Sequence, residues 1–294
     1  MKRVLVTGAT GFTGRYLVPE LANAGCEVWE TGRAAQPDNH RFRQADISRR
    51  DEVDALLNEI QPQAIVHLAA QAFVAAGDVE SFYLTNLLGS RNLLSAAAEV
   101  LPSPPFLLLA SSANVYGDAG DVLIRESQPA NPANEYAVSK LAMEYLARLW
   151  MDRLPMVIVR PFNYTGAGQG GQFLLPKIVE HLRSGATCIE LGNLEVRRDV
   201  SDVRAVVEAY RRLLEHQPAG ETVQICSGES YTLRDMLGMA EVIAGRKLEV
   251  SVDERLVRGN EIRCLRGSPD HLCELIGDWQ SPPLHDTLSW MLDA

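Results

Sequence analysis

Three side chains in the first half of the chain could act together in a proton transfer. Tyr136 and Lys140 are four residues apart, so they share one face if the segment is helical. A lysine ammonium beside a phenol lowers the pKa of that phenol and can also hold a ribose hydroxyl. Ser112 follows an apolar run at residues 106–110 and could hydrogen-bond the same substrate oxygen. The three predict a site in which tyrosine gives or takes a proton, although Tyr136 and Lys140 alone would also suit a surface helix pair.

A glycine-rich turn near the N-terminus could hold a dinucleotide beside these residues. It follows an apolar run, and residues 8–14 read GATGFTG, a G-x-x-G-x-x-G spacing. A buried strand enters the turn and an amphipathic helix leaves it, the context in which glycines bring a pyrophosphate to the free N–H groups of a helix. The alternative is an ordinary strand-to-helix turn. The residues expected to contact the cofactor are Gly8, Thr10, Gly11, Phe12, Thr13 and Gly14.

Strand-like and helix-like runs alternate over the first half, which is typical of a doubly wound parallel sheet with helices on both faces. Strands are predicted at residues 3–6, 27–30, 64–68, 106–110 and 156–159, and helices at residues 11–24, 49–60, 81–99 and 135–151. We therefore expect an α/β fold with a Rossmann-type domain over residues 1–163, completed by returning segments of the C-terminal half. Residues 164–294 are expected to form mainly a smaller substrate-binding α/β region.

Composition restricts the class of protein. The 294 residues are 46% apolar, enough for one large globular domain or a cofactor domain with a smaller companion. No stretch approaches the ~18 consecutive apolar residues of a membrane span, and no signal-peptide pattern precedes the first strand, so a cytoplasmic protein is expected. A net charge of −10 argues against nucleic acid as a partner. The five cysteines lack C-x-x-C spacing, so neither a disulfide framework nor a metal site is predicted.

The end of the second predicted strand indicates which dinucleotide is preferred. An acidic side chain there normally accepts the ribose hydroxyls of NAD. In this chain that position falls near Gly32, and Arg33 follows, which offers a guanidinium to a 2′-phosphate. NADP(H) is therefore favoured. NAD(H) stays possible, because Glu30 would face the ribose if the register of the strand slipped by two residues. Asp46 and Ile47, after a short third strand, could flank the adenine.

Small residues lie at the end of the strand predicted at residues 64–68, at the edge where a cofactor should lie. His67 is flanked by apolar residues and is interpreted as a structural histidine rather than a base. Asn86, inside the next long helix, is expected to bond the backbone of a neighbouring strand rather than a ligand. The residues expected at the cofactor are Leu68, Ala69 and Ala70, with Gln71 at the substrate.

Four motifs, taken in order, closely resemble those of the extended short-chain dehydrogenase/reductase family that acts on nucleotide sugars. They are T-G-x-x-G-x-x-G, H-L-A-A, S-S-x-x-V-Y-G and Y-x-x-x-K, and the resemblance covers nearly the whole chain. It implies that Tyr136 is the acid/base on the sugar hydroxyl or ketone, that Lys140 tunes it and that Ser112 orients the substrate. It also implies a hydride transfer between nicotinamide C4 and sugar C4.

Two later segments resemble the branch containing GDP-4-keto-6-deoxy-D-mannose reductases and GDP-mannose 4,6-dehydratases. Residues 160–169 read RPFNYTGAGQ, and residues 192–204 read GNLEVRRDVSDVR. The resemblance implies that an asparagine touches the sugar nucleotide, a lysine lies by the base, arginines bind the pyrophosphate and an acid reaches the ribose. These residues are Asn163, Lys177, Arg198, Arg258 and Glu261, in that order; Leu174 is expected at the substrate, and Pro161 and Phe162 at the cofactor.

The residues after Ser112 separate the possible reactions. A 4,6-dehydratase of this family carries an acidic residue there, and bifunctional epimerase-reductases carry a cysteine, whereas this chain has Ala113 and Asn114. Reduction of a 4-ketone needs only a hydride donor, an acid and an orienting hydroxyl. We therefore predict an NADPH-dependent reductase of a nucleotide-linked 4-keto-6-deoxyhexose, GDP-linked by the resemblance. An NAD-dependent nucleotide-sugar 4-epimerase and a non-catalytic NADP-binding sensor are the alternatives, with Arg33 against the former.

The predicted helices 81–99 and 135–151 have apolar positions beyond one face, including Leu84 and Leu88. An exposed apolar stripe indicates a partner surface. Relatives in the resembling family commonly pair through these two helices, so a homodimer is expected, and burial of the stripe in the core is the alternative.

Overall fold

The computed structural model describes residues 2–72, 78–253 and 261–294. In chain order the strands are β1 (Arg3–Thr7), β2 (Glu27–Gly32), β3 (Phe42–Gln44), β4 (Ala64–His67), β5 (Phe106–Ala110), β6 (Met156–Pro161), β7 (Asn163–Thr165), β8 (Cys188–Leu191), β9 (Arg197–Asp202), β10 (Thr222–Ile225), β11 (Ser230–Thr232), β12 (Glu249–Val252) and β13 (Cys264–Leu265). The α-helices are α1 (Phe12–Asn23), α2 (Arg50–Ile60), α3 (Glu80–Phe82), α4 (Ser90–Glu99), α5 (Glu135–Arg148), α6 (Leu174–Ser184), α7 (Val203–His216), α8 (Leu233–Ala244), α9 (Asp270–Ile276) and α10 (Leu284–Asp293).

Seven strands form a parallel sheet in the order β10-β6-β5-β4-β1-β2-β3. The central strands read as continuous apolar runs because helices cover both faces of the sheet. On β1, Val4 and Val6 pack with α1 and α7, whereas Leu5 packs on the other face with α2, α4 and α5. The predicted α/β fold, a Rossmann-type doubly wound sheet, is confirmed.

The C-terminal half contributes one strand to the main sheet and forms a separate group of strands and helices. Strand β10 returns to the main sheet beside β6, with Thr222 opposite Ile158. Strands β7, β9, β11 and β13 form a four-stranded sheet, and β8 pairs with β12. Helices α6, α8 and α10 enclose a separate apolar cluster that includes Ile178, Met236 and Leu288. The predicted division of the chain at residue 163 stays a prediction.

Two predicted helices differ from the observed ones. The helix predicted over residues 81–99 contains a π-helical segment, Tyr83–Gly89, between α3 and α4. The helix predicted over residues 135–151 ends at Arg148, and its first turn is capped by Asn134, whose side chain accepts from the Ala137 N–H at 2.9 Å. In the described ranges, no helix combines the length and apolar character needed to cross a membrane.

Candidate active site

The carboxyl ends of β1, β4 and β5 lie side by side, because these strands are parallel neighbours in the sheet. The glycine turn follows β1, residues 68–71 follow β4, and Ser111 and Ser112 follow β5. Ligands of doubly wound sheets bind at this edge. The fold therefore brings the predicted cofactor turn and the predicted catalytic serine to one edge.

The glycine turn has the shape that a pyrophosphate requires. Gly8 has φ of +70°, and a Cβ there would lie 2.7 Å from the Ala69 nitrogen. A Cβ on Gly14 would lie 2.3 Å from the Ala9 oxygen. Gly11 is the N-cap residue just before α1 and has no side chain to cap the helix. The first N–H groups of α1 can therefore bind an anion. The turn therefore fits a dinucleotide.

The other side chains of this turn join it to β7. Phe12 stacks on Tyr164, with ring centroids 6.1 Å apart. The Thr13 and Tyr164 hydroxyls are 2.7 Å apart and hydrogen-bonded. Thr10 is exposed. The predicted cofactor turn is thus tied to the strand that begins with Asn163.

The end of β2 has the predicted register. Thr31 pairs with Thr7, and a Cβ on Gly32 would lie 3.4 Å from the Thr10 hydroxyl, so Gly32 is the position that faces the glycine turn. Glu30 instead accepts a hydrogen bond from Asn39 at 2.7 Å. No carboxylate therefore stands at the position where an NAD-specific site would carry one.

A polar cavity of about 430 Å³ lies beside this strand end, lined by Arg33, Gln44, Asp46, Arg49 and Glu52. Arg49 was not among the predicted cofactor residues, and the only sequence signal for it is its place just after the D-I-S tripeptide that follows the third strand. Its guanidinium is 3.0 Å from the Glu52 carboxylate. Arg33 and Arg49 bring two cations to this cavity, beside the Asp46 and Glu52 carboxylates.

Asp46 and Ile47 occupy different environments. The Asp46 carboxylate accepts from the Ser48 N–H and hydroxyl, at 2.9 and 2.8 Å. Ile47 is buried, and a Cβ on Gly89 would come within 2.7 Å of it. The Ile47 side chain therefore lines the core, beneath the cavity to which Asp46 belongs.

The segment after β4 is held by partly buried hydrogen bonds. Ala69 donates its N–H to the Thr7 hydroxyl at 3.2 Å. The Asn86 side chain accepts from the Gln71 N–H at 2.8 Å and donates to the Gln71 carbonyl at 3.0 Å. Asn86 thus bonds backbone, as predicted, although the backbone belongs to the loop after β4. Leu68, Ala69, Ala70 and Gln71 are partly buried at the sheet edge.

His67 is enclosed between two hydroxyls. Its Nδ1 lies 2.7 Å from the Thr7 Oγ1 and its Nε2 lies 2.8 Å from the Ser90 Oγ. Burial lowers the pKa of His67 to about 3, with a smaller contribution from the Lys140 cation. The imidazole is therefore neutral near pH 7, which supports its interpretation as a structural histidine.

Ser112, Tyr136 and Lys140 converge next to the end of β5. Ser112 is 8% exposed and begins a 3₁₀ turn, Ala113–Tyr116. The pKa of the Tyr136 phenol is raised by burial and by Tyr164, and it is lowered less strongly by the nearby Ser112 hydroxyl. The Lys140 ammonium donates to the Ala110 carbonyl at 2.7 Å. The structure thus brings the three predicted catalytic residues together.

The direction of the pKa shift of Tyr136 differs from the sequence prediction. A lysine ammonium was expected to lower it, but the buried Lys140 is directed at the Ala110 carbonyl and burial dominates at the phenol. Burial also lowers the pKa of Lys140 to about 8, against the opposing effect of the Glu144 carboxylate. Tyr136 is therefore a protonated phenol over the whole neutral range.

The predicted substrate residues are distributed over the C-terminal half. Asn163 begins β7, opposite Val200 on β9. The Lys177 ammonium donates to the Glu190 carbonyl at 2.6 Å. Arg198 lies on β9 and donates to the Arg197 carbonyl at 2.8 Å. Leu174 begins α6, and Arg258 lies outside the described residues. Of the two residues predicted at the cofactor in this half, Pro161 ends β6 and Phe162 is buried beside Tyr116.

Glu261 is joined to a second cavity. Its carboxylate accepts from the Asn193 side chain at 2.8 Å. Asn193 lines a cavity of about 310 Å³ together with Gly192, Leu194, Glu195, Arg234 and Val252. Asn193 was not among the predicted site residues, although it lies in the segment that carried the resemblance. The structure thus connects Glu261 to that segment.

A Rossmann-type sheet with a glycine turn and a serine–tyrosine–lysine cluster at its carboxyl edge defines a dinucleotide-dependent oxidoreductase. Residues 4–226 match the model of the NAD dependent epimerase/dehydratase family. The chain belongs to this family and is an NAD(P)-dependent enzyme.

Three relatives are similar over nearly all of the chain. GDP-6-deoxy-D-mannose reductase of Pseudomonas aeruginosa is 35% identical, with 98% of this chain and 91% of the relative covered. GDP-6-deoxy-D-talose 4-dehydrogenase of Aggregatibacter actinomycetemcomitans is 31% identical, with 94% and 92% covered. The solved structure of RMD from Pseudomonas aeruginosa complexed with NADPH has a TM-score of 0.84 and 32% identity, with 100% of this chain and 98% of that chain covered.

Proposed function

We propose that this chain is an NADPH-dependent reductase that converts the C4 ketone of a GDP-linked 4-keto-6-deoxyhexose to a hydroxyl. The observation that carries the proposal is the convergence of Ser112, Tyr136 and Lys140 at the sheet edge next to the glycine turn. Reduction of a ketone needs a proton donor at the oxygen, and a phenol with a raised pKa is in the donor form at neutral pH.

Each residue of the cluster has one role in this reaction. Bound NADPH would supply the hydride to the ketone carbon. Ser112 orients the ketone oxygen, and Tyr136 gives that oxygen its phenol proton. The Lys140 ammonium, which donates to the Ala110 carbonyl in this structure, would hold a ribose hydroxyl of the bound cofactor. The Tyr136 phenolate then takes a proton back from solvent, which restores the starting state.

The preference for NADPH is supported by the cavity at the end of β2. Arg33 and Arg49 line it, and Gly32 stands where an acidic residue would repel a 2′-phosphate. Guanidinium groups form charge-assisted hydrogen bonds with phosphates. The NADPH in the similar Pseudomonas aeruginosa structure agrees with this preference.

The choice of substrate is supported by the relatives and by the residues after Ser112. Both curated relatives are named for GDP-linked 6-deoxyhexoses. Ala113 is buried in an apolar cluster, so an acid for dehydration is absent from the position where dehydratases of this family carry one. We assign the sugar nucleotide to the region over residues 164–294, with contacts from Gln71, Asn163, Leu174, Lys177, Arg198, Arg258 and Glu261. The product is GDP-rhamnose or GDP-6-deoxytalose, formed in the cytoplasm.

A second copy of the chain completes this proposal. Apolar side chains on the π-helical segment, on α5 and just after α5 stay exposed: Leu84, Leu88, Val138, Tyr145 and Leu149. Leu149 is 78% exposed and Tyr145 is 58% exposed, and several exposed apolar side chains on adjacent helices indicate a partner surface. We propose that these helices pair with their copies in a homodimer.

The test is the loss of NADPH absorbance on addition of GDP-4-keto-6-deoxymannose. The proposal requires NADPH oxidation by the wild-type chain and not by Tyr136→Phe. Interconversion of sugar nucleotides with NAD, without net oxidation of NADPH by any 4-keto sugar nucleotide, would instead establish a 4-epimerase.

A further inference from the structure

A buried ion pair lies beneath the catalytic cluster. Glu144 of α5 and Arg160 of β6 have side chains that are 1% and 5% exposed. The Arg160 Nε and Nη2 donate to the two Glu144 oxygens, at 2.9 and 2.6 Å. A bidentate pair of this kind is geometrically specific. Neither residue was predicted from the sequence to belong to the site.

The pair holds both ends of the segment that carries Ser112. At the first end, the Ser111 hydroxyl donates to the Glu144 carboxylate. At the other end, the Tyr116 hydroxyl accepts from the Arg160 Nη1 at 2.9 Å, and the guanidinium lies 4.9 Å from the centroid of the Tyr116 ring. Along the chain, Ser112 lies between these two attachments, and its hydroxyl is near enough to the Tyr136 phenol to affect the pKa of that phenol.

The same carboxylate acts on Lys140. Tyr136, Lys140 and Glu144 are spaced by four along α5, so they share one face of the helix. Burial lowers the pKa of Lys140, and the Glu144 carboxylate raises it again. Among the described residues, the titratable groups near this part of α5 include the neutral His67 on β4, the Tyr116 phenol and the cationic Arg160 on β6. Glu144 is therefore the anion that favours the ammonium form.

We propose that the Glu144–Arg160 ion pair is a positioning device for the reaction, which holds Ser112 against Tyr136 and supplies the counter-charge of Lys140. This inference rests on the proposed function, because it concerns the residues assigned to proton transfer. Stability alone does not require such a pair, since apolar residues of similar volume often replace a buried ion pair without loss.

The effect on Lys140 has a defined sign. The ammonium is present below the pKa of Lys140 and is lost as pH rises through it. Removing the Glu144 charge lowers this pKa, so activity is lost at lower pH. An opposite charge within about 4–6 Å shifts a pKa by about 1–3 units. In Glu144→Gln, the alkaline limb of kcat/KM for NADPH oxidation should therefore move down, by about one pH unit if the carboxylate lies at that distance from the ammonium.

Two further variants separate positioning from folding. The double variant Glu144→Met with Arg160→Met removes both charges and leaves no unpaired charge in the core, so the chain should fold. Because the Arg160 cation is also absent, the alkaline limb of this variant should move down by less than that of Glu144→Gln. Ser111→Ala keeps the ion pair, so its alkaline limb should not move, while kcat should fall severalfold because one end of the Ser112 segment is released. Glu99→Gln removes the same charge from an exposed pair with Arg50 and is the matched control, with no change expected.

The decisive readout is the order of the alkaline limbs, with Glu144→Gln lowest, the double variant next, and wild type and Ser111→Ala highest. The pH dependence of the NADPH dissociation constant, followed by cofactor fluorescence, should shift in the same order. If folded Glu144 variants keep the wild-type limbs and only melt at lower temperature, the pair is structural and the inference is wrong. If no 4-keto sugar nucleotide is turned over, the proposed function fails, and NADPH binding still decides the inference.

Discussion

Replacement of Arg33 by alanine should change the choice between NADPH and NADH. Arg33 lines the cavity at the end of β2, is exposed, and stands next to Gly32. A hydrogen bond to a charged group contributes about 1.5–3 kcal/mol, and solvent screening at an exposed site puts Arg33 at the lower end. About 1.5 kcal/mol corresponds to a roughly tenfold change in affinity. The KM for NADPH should therefore rise about tenfold in Arg33→Ala, while that for NADH should not change.

Arg49→Ala should give a smaller effect, because its guanidinium must exchange the Glu52 carboxylate for the phosphate. The matched control is Arg41→Ala, which removes an exposed arginine that does not line the cavity. Initial rates at saturating sugar nucleotide give KM for each cofactor. The reasoning is refuted if Arg33→Ala weakens NADPH and NADH equally, or neither of them.

Three further outcomes are expected. Tyr136→Phe should lower kcat/KM by about 10²–10⁴ while the NADPH dissociation constant stays within about threefold, since only the proton donor is lost; an active phenylalanine variant would remove Tyr136 from the mechanism. Burial lowers the pKa of His67 to about 3, so the contribution of the neutral imidazole to stability is present above pH 6.5 and is lost as pH falls from 6.5 towards 3. In His67→Asn, the free energy of unfolding should therefore fall less steeply with decreasing pH than in wild type. Leu84→Glu with Leu149→Glu should halve the mass measured by light scattering, and an unchanged mass would place the dimer contact elsewhere.

The sequence was sufficient for the parallel sheet because its strands are apolar runs bounded by turn residues. Val4, Leu5 and Val6 are buried on both faces of β1, so no alternation was needed to recognise the strand. The predicted strands 3–6 and 64–68 agree with β1 and β4 to within one residue. The order of the motifs along the chain likewise placed Ser112 and the glycine turn at one edge.

The parts that could not be predicted depend on contacts between distant residues. The π-helical segment forms where Asn86 bonds the Gln71 backbone and Gly89 admits the Ile47 side chain, and neither contact has a sequence signal. Glu144 lies four residues after Lys140, where a glutamate ordinarily suggests a solvated helix face. Its burial follows only from the position of Arg160 on β6, which the sheet topology determines.

The direction of the pKa shift of Tyr136 also could not be predicted from the sequence. The spacing from Lys140 gave the correct helix face, but the burial of both side chains and the bond from Lys140 to the Ala110 carbonyl decide the sign. The raised pKa keeps the phenol in its proton-donor form at neutral pH.

The most direct test of the central claim is turnover of GDP-4-keto-6-deoxymannose with NADPH carrying deuterium at nicotinamide C4, followed by NMR of the product. The proposed function predicts a GDP-6-deoxyhexose with deuterium at C4 of the sugar, in one configuration, with one NADPH oxidised per product. A product without deuterium at C4, or sugar interconversion without net oxidation of NADPH, would contradict it.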